Sequence, residues 1–398
     1  MANTQRSASN DRNAQRDARG SMRIIPPRSE KNVVVEVSNV DFSISITVTF
    51  LVLIGLVMVF SSSYFVASRT GDPLYFFKRQ GTAAIMGFCA MFILANFSYR
   101  YLKKLSFLIY MAANVLLVVV QLIGDERGGA RRWLEIPIIG LSLQPSEIAK
   151  VGVILLVATI IAGNKDILKS WGGFIFCSIV VGISCVLVAW GNLSTAIIVA
   201  IIGFGIIFIA SPYTGRFVFF GAIGAASLVS FIMFGGGFRT ERFLAWRDPF
   251  AFPRGVGYQI IQSLFAVGSG GFFGLGLGNS RQKMGFLPEA HNDIIFAVIS
   301  EELGFFGASI ILMLFGILIW RGLKVAINAV DLFGSLVATG AVLLIGSQVV
   351  INVAVVTNSI PNTGVPLPFI SFGGTSLTIT MALMGILLNI SRHSRGSG

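Results

Sequence analysis

Ten runs of about 20 mostly apolar residues follow one another along the chain, at roughly 44–66, 80–97, 105–123, 146–162, 171–190, 193–210, 216–234, 293–319, 332–357 and 367–390. A run of about that length crosses a bilayer as a helix. The pattern therefore predicts an all-α polytopic membrane protein with ten transmembrane helices. Only Trp190-Gly191-Asn192 separates the fifth run from the sixth, which forces those two helices into an antiparallel hairpin. A polar stretch, 235–292, lies between helices 7 and 8. Residues 1–43 are polar, carry seven Lys/Arg and hold no long apolar stretch, so they read as a disordered tail. The membrane domain spans 44–391, and 392–398 form a second tail. The first long apolar run begins near Ile44, too late for a secretory leader, and is expected to stay as an anchor.

Charge then sets the orientation. An even number of spans puts both termini on one side, with 17 Lys/Arg in the segments on that side and 12 on the other. Six of the 12 fall in the long loop, and long loops are largely exempt from the charge bias. Both termini are thus predicted to be cytoplasmic and 235–292 to be extracellular. At 54% hydrophobic and 12% charged, the composition excludes an ordinary soluble domain. The net charge of +12 would suggest nucleic acid in a soluble protein. Here it is better explained by anionic lipid beside the spans, and no nucleic-acid partner is expected. The three cysteines sit in apolar runs, and the two histidines, His291 and His393, are too far apart to suggest a zinc site.

The candidate chemistry lies where polar residues interrupt this pattern. Glycines at 268, 270, 271, 274, 276 and 278 argue against a regular helix there. They lead into a polar cluster, Gln282, Lys283, Glu289, His291, Asn292 and Asp293, just ahead of the apolar run from Ile294. Asp293 is either a carboxylate serving the free amides of a helix start or a reactive group at the lipid–water boundary. At helical pitch Ala297, Ser300, Gly304 and Gly307 share its face. His291 either hydrogen-bonds a ligand or orients the loop. In Gln144-Pro145-Ser146-Glu147-Ile148-Ala149-Lys150, proline suits a first helical turn, and Glu147 and Lys150 fall on one face. They form either a structural ion pair or a ligand-facing one. Arg131 and Arg132 beside Trp133 suit an interfacial anchor or a fork for an anionic head group. Prolines 366 and 368 with Gly373-Gly374 break the last span near its outer end. The glycine-rich parts lack the GxxxxGK[ST] pattern of a nucleotide loop.

GARRW, QPSEIAK, FLPEAHNDIIFAVISEELG and PLPFISFGGTSL occur in that order. With them, the chain from about Phe42 to Ser391 closely resembles the SEDS family of bacterial wall proteins (shape, elongation, division and sporulation). The resemblance implies a ten-span peptidoglycan glycosyltransferase of the bacterial cytoplasmic membrane. Such an enzyme joins lipid II on the outer face, with inversion and release of undecaprenyl diphosphate. It works beside a class B penicillin-binding protein transpeptidase and other divisome or sporulation wall proteins. The family's essential aspartate falls on Asp293, and Glu147 and Lys150 fall on its central cavity. In that reaction Asp293 is expected to take the proton of the attacking hydroxyl. Arg131, Arg132, Arg242, Lys283 and Lys150 are candidates to balance the leaving diphosphate, and Gln282, Glu289 and His291 to contact substrate.

No tightly bound cofactor or dedicated metal site is expected; Mg²⁺ or Mn²⁺ would be shared with the diphosphate. Ser61 to Tyr64 and Asp72 to Gln80 resemble division and sporulation members more than elongation members. Two positions depart from the family: Asn192, where many relatives carry an acid, and Phe372, where a tyrosine is usual. A lipid flippase or a non-catalytic scaffold would share much of this pattern, but either should tolerate Asp293→Asn, whereas a polymerase should not.

Overall fold

The computed structural model describes residues 41–69, 71–127, 130–136, 141–217, 221, 224 and 238–394. Its long helices are α1 (Phe42–Arg69), α2 (Tyr75–Asn96), α3 (Arg100–Ile123), α4 (Pro145–Gly163), α5 (Trp171–Gly191) and α6 (Leu193–Ala210), then α9 (Ile295–Asn328), α10 (Leu332–Val356) and α11 (Gly374–Arg392). Eight of these, all but α2, are long and apolar enough to cross a membrane, and the chain is a multi-pass membrane protein. Helix α2 occupies the second predicted span, but Lys78, Arg79 and Gln80 sit near its start. Most of the seventh predicted span, and residues 1–40 and 395–398 of the predicted tails, lie outside the described residues.

Helices α4, α10 and α11 are the most enclosed, and α3, α5 and α9 carry more outward-facing surface. The bundle closes through α2 against α11, α3 against α4, α9 against α10 and α1, and α6 against α4 and α10. The hairpin predicted at Trp190-Gly191-Asn192 forms. Asn192 ends α5 and starts α6, its side chain accepting from the Thr195 amide at 3.2 Å.

Three departures from the expected pattern shape the site. First, residues taken as a plain connection form an antiparallel three-stranded sheet, β1 (Asp125–Arg127), β2 (Ala130–Ile136) and β3 (Leu141–Leu143), with β2 central, so the protein is not all-α. Second, 235–292 is not plain loop. It holds α7 (Phe238–Arg247) and α8 (Val256–Ser269), and the helix runs through Gly268, stopping only at the glycines from 270 onward.

Third, α9 is two helices joined at Gly304, whose φ of 67° and ψ of −171° break the turn. Gly271, Gly274, Gly276 and Gly278 also adopt positive φ, the left-handed region that glycine enters without strain. The glycine tract fills the break. Leu275 and Gly276 amides donate to the carbonyls of Glu301 and Glu302 at 2.9 and 3.0 Å. Phe305 and Phe306 amides donate to Gly271 and Phe272 at 2.9 and 3.0 Å. Backbone polar groups at membrane depth need protein partners, and here the loop supplies what the interrupted helix lacks. A Cβ on Gly274 would lie 2.1 Å from the Glu302 oxygen, so the approach requires glycine. The helical alignment expected from Asp293 to Gly307 does not survive this break.

Candidate active site

A cavity of about 640 Å³ opens among α1, α2, the sheet, α4, α6, α10 and the segments on either side of α9 and α11. Strand geometry decides which arginine reaches it. The β1–β2 register shifts so that Glu126 pairs with Arg131 and Asp125 with Trp133; at this bulge, where alternation is interrupted, Arg132 and Trp133 both line the cavity while Arg131 is exposed. Arg132 donates Nε to the Gly191 carbonyl at 2.7 Å, at the carboxyl end of α5, where a cation meets the negative end of the helix dipole. Burial lowers its pKa from the usual guanidinium value, and the charge of Asp293 acts in the opposite sense. Arg131 instead donates to the carbonyls of Gln121 and Leu122 at 3.4 and 3.1 Å, closing the end of α3.

Asp293 sits two residues ahead of α9, before the Ile294 cap, on a segment fixed at several points. Asn352 of α10 donates Nδ2 to the Asp293 carbonyl at 2.6 Å and to the Val365 carbonyl at 2.8 Å. The Phe372 amide donates to the His291 carbonyl at 2.9 Å. Asn292 donates its amide to the Glu289 carbonyl at 2.9 Å and its side chain to the Glu289 carboxylate. Glu289 has a φ of 52°, a region non-glycine residues rarely enter. The Asp293 carboxylate faces Gly364, where a Cβ would stand 3.6 Å from Oδ2.

His291 is 7% exposed and packs against Phe76 and Phe372, with ring centroids at 4.2 and 5.7 Å. Burial pushes its pKa down to about 4, so the imidazole is neutral at pH 7. Its Nδ1 has no hydrogen-bond partner among the described residues.

Glu147 and Lys150 also line the cavity. They form an ion pair of 2.8 Å, with side chains 4% and 1% exposed, in the first turns of α4 behind Pro145. The pair is thus an internal ion pair that also faces the cavity. Glu289, His291 and Asp293 join Arg132 and this pair at the cavity.

Gln282 and Lys283 do not line it. Lys283 is 7% exposed and binds Glu302 Oε1 at 2.6 Å and Ser61 Oγ at 2.8 Å. The Gln282 amide donates to Glu301 at 3.4 Å. A buried carboxylate on α9 outcompetes the cavity for that lysine, which corrects its expected place beside a diphosphate. Arg242 belongs to α7, and its side chain lies outside the described residues.

The structure adds Arg79, Trp133, Asn192, Gln348 and Ser376 to the wall. Gln348 was discernible in principle as a polar residue inside an apolar run. Arg79 stands near the start of α2, where counting it only as a flanking charge missed it. Among the described residues no three His, Cys, Asp or Glu side chains converge as a metal site would require.

Residues 42–396 match the profile of the FtsW/RodA/SpoVE family, described as "Cell cycle protein". The chain is 41% identical over 360 residues to "Stage V sporulation protein E" of Bacillus subtilis (strain 168), covering 89% of this chain and 98% of that protein. It is 36% identical over 366 residues to "Probable peptidoglycan glycosyltransferase FtsW" of Geobacter sp. (strain M18), covering 91% and 99%. Its fold is similar to a chain described under "Structural coordination of polymerization and crosslinking by a peptidoglycan synthase complex", with TM-score 0.74, 28% identity and 89% and 98% coverage. It is also similar to the Thermus thermophilus rod shape determining protein RodA, with TM-score 0.67, 26% identity and 90% and 98% coverage.

Proposed function

The chain belongs to the FtsW/RodA/SpoVE family, and on that premise we propose how its cavity performs peptidoglycan glycosyl transfer. The protein is a peptidoglycan glycosyltransferase of cell-wall synthesis. Its substrate is lipid II, two molecules of which meet at the cavity on the outer face of the cytoplasmic membrane. The 4-hydroxyl of one GlcNAc attacks the MurNAc C1 of the other, forming the new C–O bond. The bond from C1 to undecaprenyl diphosphate breaks with inversion.

Asp293 accepts the hydroxyl proton. General-base assistance of this kind contributes typically ~10²–10⁴-fold. The observation that carries the reading is the position of Asp293: a cavity carboxylate whose main chain is held by Asn352, within electrostatic reach of Arg132. Arg132 and Arg79 supply positive charge for the leaving diphosphate, and Lys150 is half of a neutral pair. With no convergent three-residue donor set among the described residues, a Mg²⁺ or Mn²⁺ ion would draw its ligands largely from diphosphate oxygens and water.

Around this site we place ten spans, cytoplasmic termini and an extracellular 235–292 segment. The partner is a class B penicillin-binding protein transpeptidase, together with other wall proteins of division or sporulation. The resemblance to a chain of a peptidoglycan synthase complex supports that partnership. The test supplies labelled lipid II to the protein purified with its transpeptidase and compares it with Asp293→Asn. Loss of polymer by ~100-fold or more, with an unchanged melting temperature, is expected. Undiminished polymer from the variant would remove Asp293 as base.

A further inference from the structure

Helix α10 carries two buried amides one turn apart, Gln348 and Asn352, each 1% exposed. Residues four apart lie on the same helix face. Asn352 has a structural task, since its Nδ2 holds the carbonyls of Asp293 and Val365. Gln348 has none: it lines the cavity, its Oε1 lacks a hydrogen-bond partner, and its carboxamide makes no hydrogen bond among the described residues. A polar group buried in this way costs free energy unless something pairs with it. Four residues of helix rise about 6 Å, so Gln348 lies about that far from Asn352 along α10, which packs against α4 and α6, the helices that bring Lys150, Thr195 and Ile198 to the same cavity.

We propose that Gln348 is a substrate-binding residue whose carboxamide oxygen accepts a hydrogen bond from the saccharide of the substrate, an O–H or an acetamido N–H. The proposal rests on the glycosyltransferase reading. The unpaired atom is an acceptor and so calls for a donor. The carboxamide offers an acceptor oxygen and two N–H donors, none of them bonded among the described residues; a diphosphate at neutral pH could meet only the donors and a prenyl chain neither, whereas a saccharide hydroxyl or acetamido group both donates and accepts. Lys150 and Glu147, on the same cavity, satisfy each other at 2.8 Å, so the pair adds little net charge and leaves room for a neutral, hydroxyl-rich group.

The test compares wild type with Gln348→Leu, which keeps the bulk and removes the amide, in complex with the transpeptidase partner. Initial polymerisation rates are measured across lipid II concentrations, together with thermal unfolding. Loss of one hydrogen bond to substrate is expected to raise KM about tenfold, with kcat less affected and the melting temperature unchanged or higher. A KM within twofold of wild type, or a lowered melting temperature with unchanged kinetics, would overturn the assignment.

Binding of labelled lipid II to Asp293→Asn and to Asp293→Asn/Gln348→Leu gives a readout without turnover, and about tenfold weaker binding by the double variant is expected. If wild type polymerises lipid II but Gln348→Leu is indistinguishable in both assays, only the Gln348 inference fails. If wild type neither binds nor polymerises lipid II, the glycosyltransferase reading fails and the inference falls with it.

Discussion

Replacing Lys283 by methionine should destabilise the protein sharply while leaving the cavity lining intact. The lysine Nζ lies 2.6 Å from Glu302 Oε1, and the two side chains are 7% and 0% exposed. Glu302 also accepts from Ser61 Oγ at 2.8 Å and from the Gly278 and Ser280 amides at 3.0 and 3.4 Å. Methionine keeps the volume but strands a carboxylate that is out of solvent and has only neutral donors. Breaking a buried pair from one side costs about 3–5 kcal/mol, because the remaining charge is uncompensated. Solvent screening does not reduce that figure at this burial. Thermal unfolding in detergent should show a fall in melting temperature of about 4–6 °C. Lys283→Met/Glu302→Gln, which removes the stranded charge, should recover most of it. A single variant melting within about 2 °C of wild type, or a double variant no better than the single, would refute the reasoning. A diphosphate contact at Lys283 would give the opposite outcome: normal melting and a raised KM.

The sheet makes Arg131 and Arg132 unequal. Arg132→Ala should lower kcat/KM for lipid II polymerisation by at least about tenfold, the worth of a charge-assisted contact, and Arg131→Ala by less than about twofold; equal losses would contradict the placement of Arg132 at the cavity and Arg131 outside it. His291 makes stability depend on pH. Its folded pKa of about 4 lies below the ordinary 6.5, so the unfolded chain takes up a proton first as pH drops. Its contribution is complete above pH 6.5 and is lost as pH falls from there toward 4. Between pH 7.5 and 5 wild type should therefore lose roughly 2 kcal/mol more than His291→Gln, as read by denaturant titration at the two values. Equal losses would mean that the imidazole titrates normally.

Much of this arrangement was legible from the pattern alone. Hydropathy located the long helices, the three-residue Trp190–Asn192 turn dictated the α5–α6 hairpin, and the spacing of Glu147 and Lys150 put them on one face. What escaped depends on contacts between distant segments. The strands at 125–143 are only three to seven residues long, too short for alternation to stand out, and without them the bulge that sets Arg132 apart from Arg131 cannot be read. Lys283 looked like a free cation because its partner lies on another element. Nothing local marks that Glu302 will be sealed from water. Gly304 sits in an apolar run where an isolated glycine is compatible with helix, and only the incoming glycine tract turns it into a break. Asn352 reads as one polar residue in an apolar span until the carbonyl it holds proves to be that of Asp293.

The exchange of hydrogen bonds at Gly304 gives the amino-terminal piece of α9 the character of a strut. Residues 295–303, about 13 Å long at helical rise, are tied to the glycine tract by two main-chain bonds at the Glu301 and Glu302 carbonyls, and two more from Phe305 and Phe306 tie the tract to the helix that follows. Asp293 stands just beyond one end of this strut, and the ties of Glu301 and Glu302 to residues 278–283 hold the other. Tract and strut therefore form one rigid part. Because Phe305 and Phe306 are bonded to the same tract, it works as a splint across Gly304, bracing the segment that carries Asp293 against the long helix that follows.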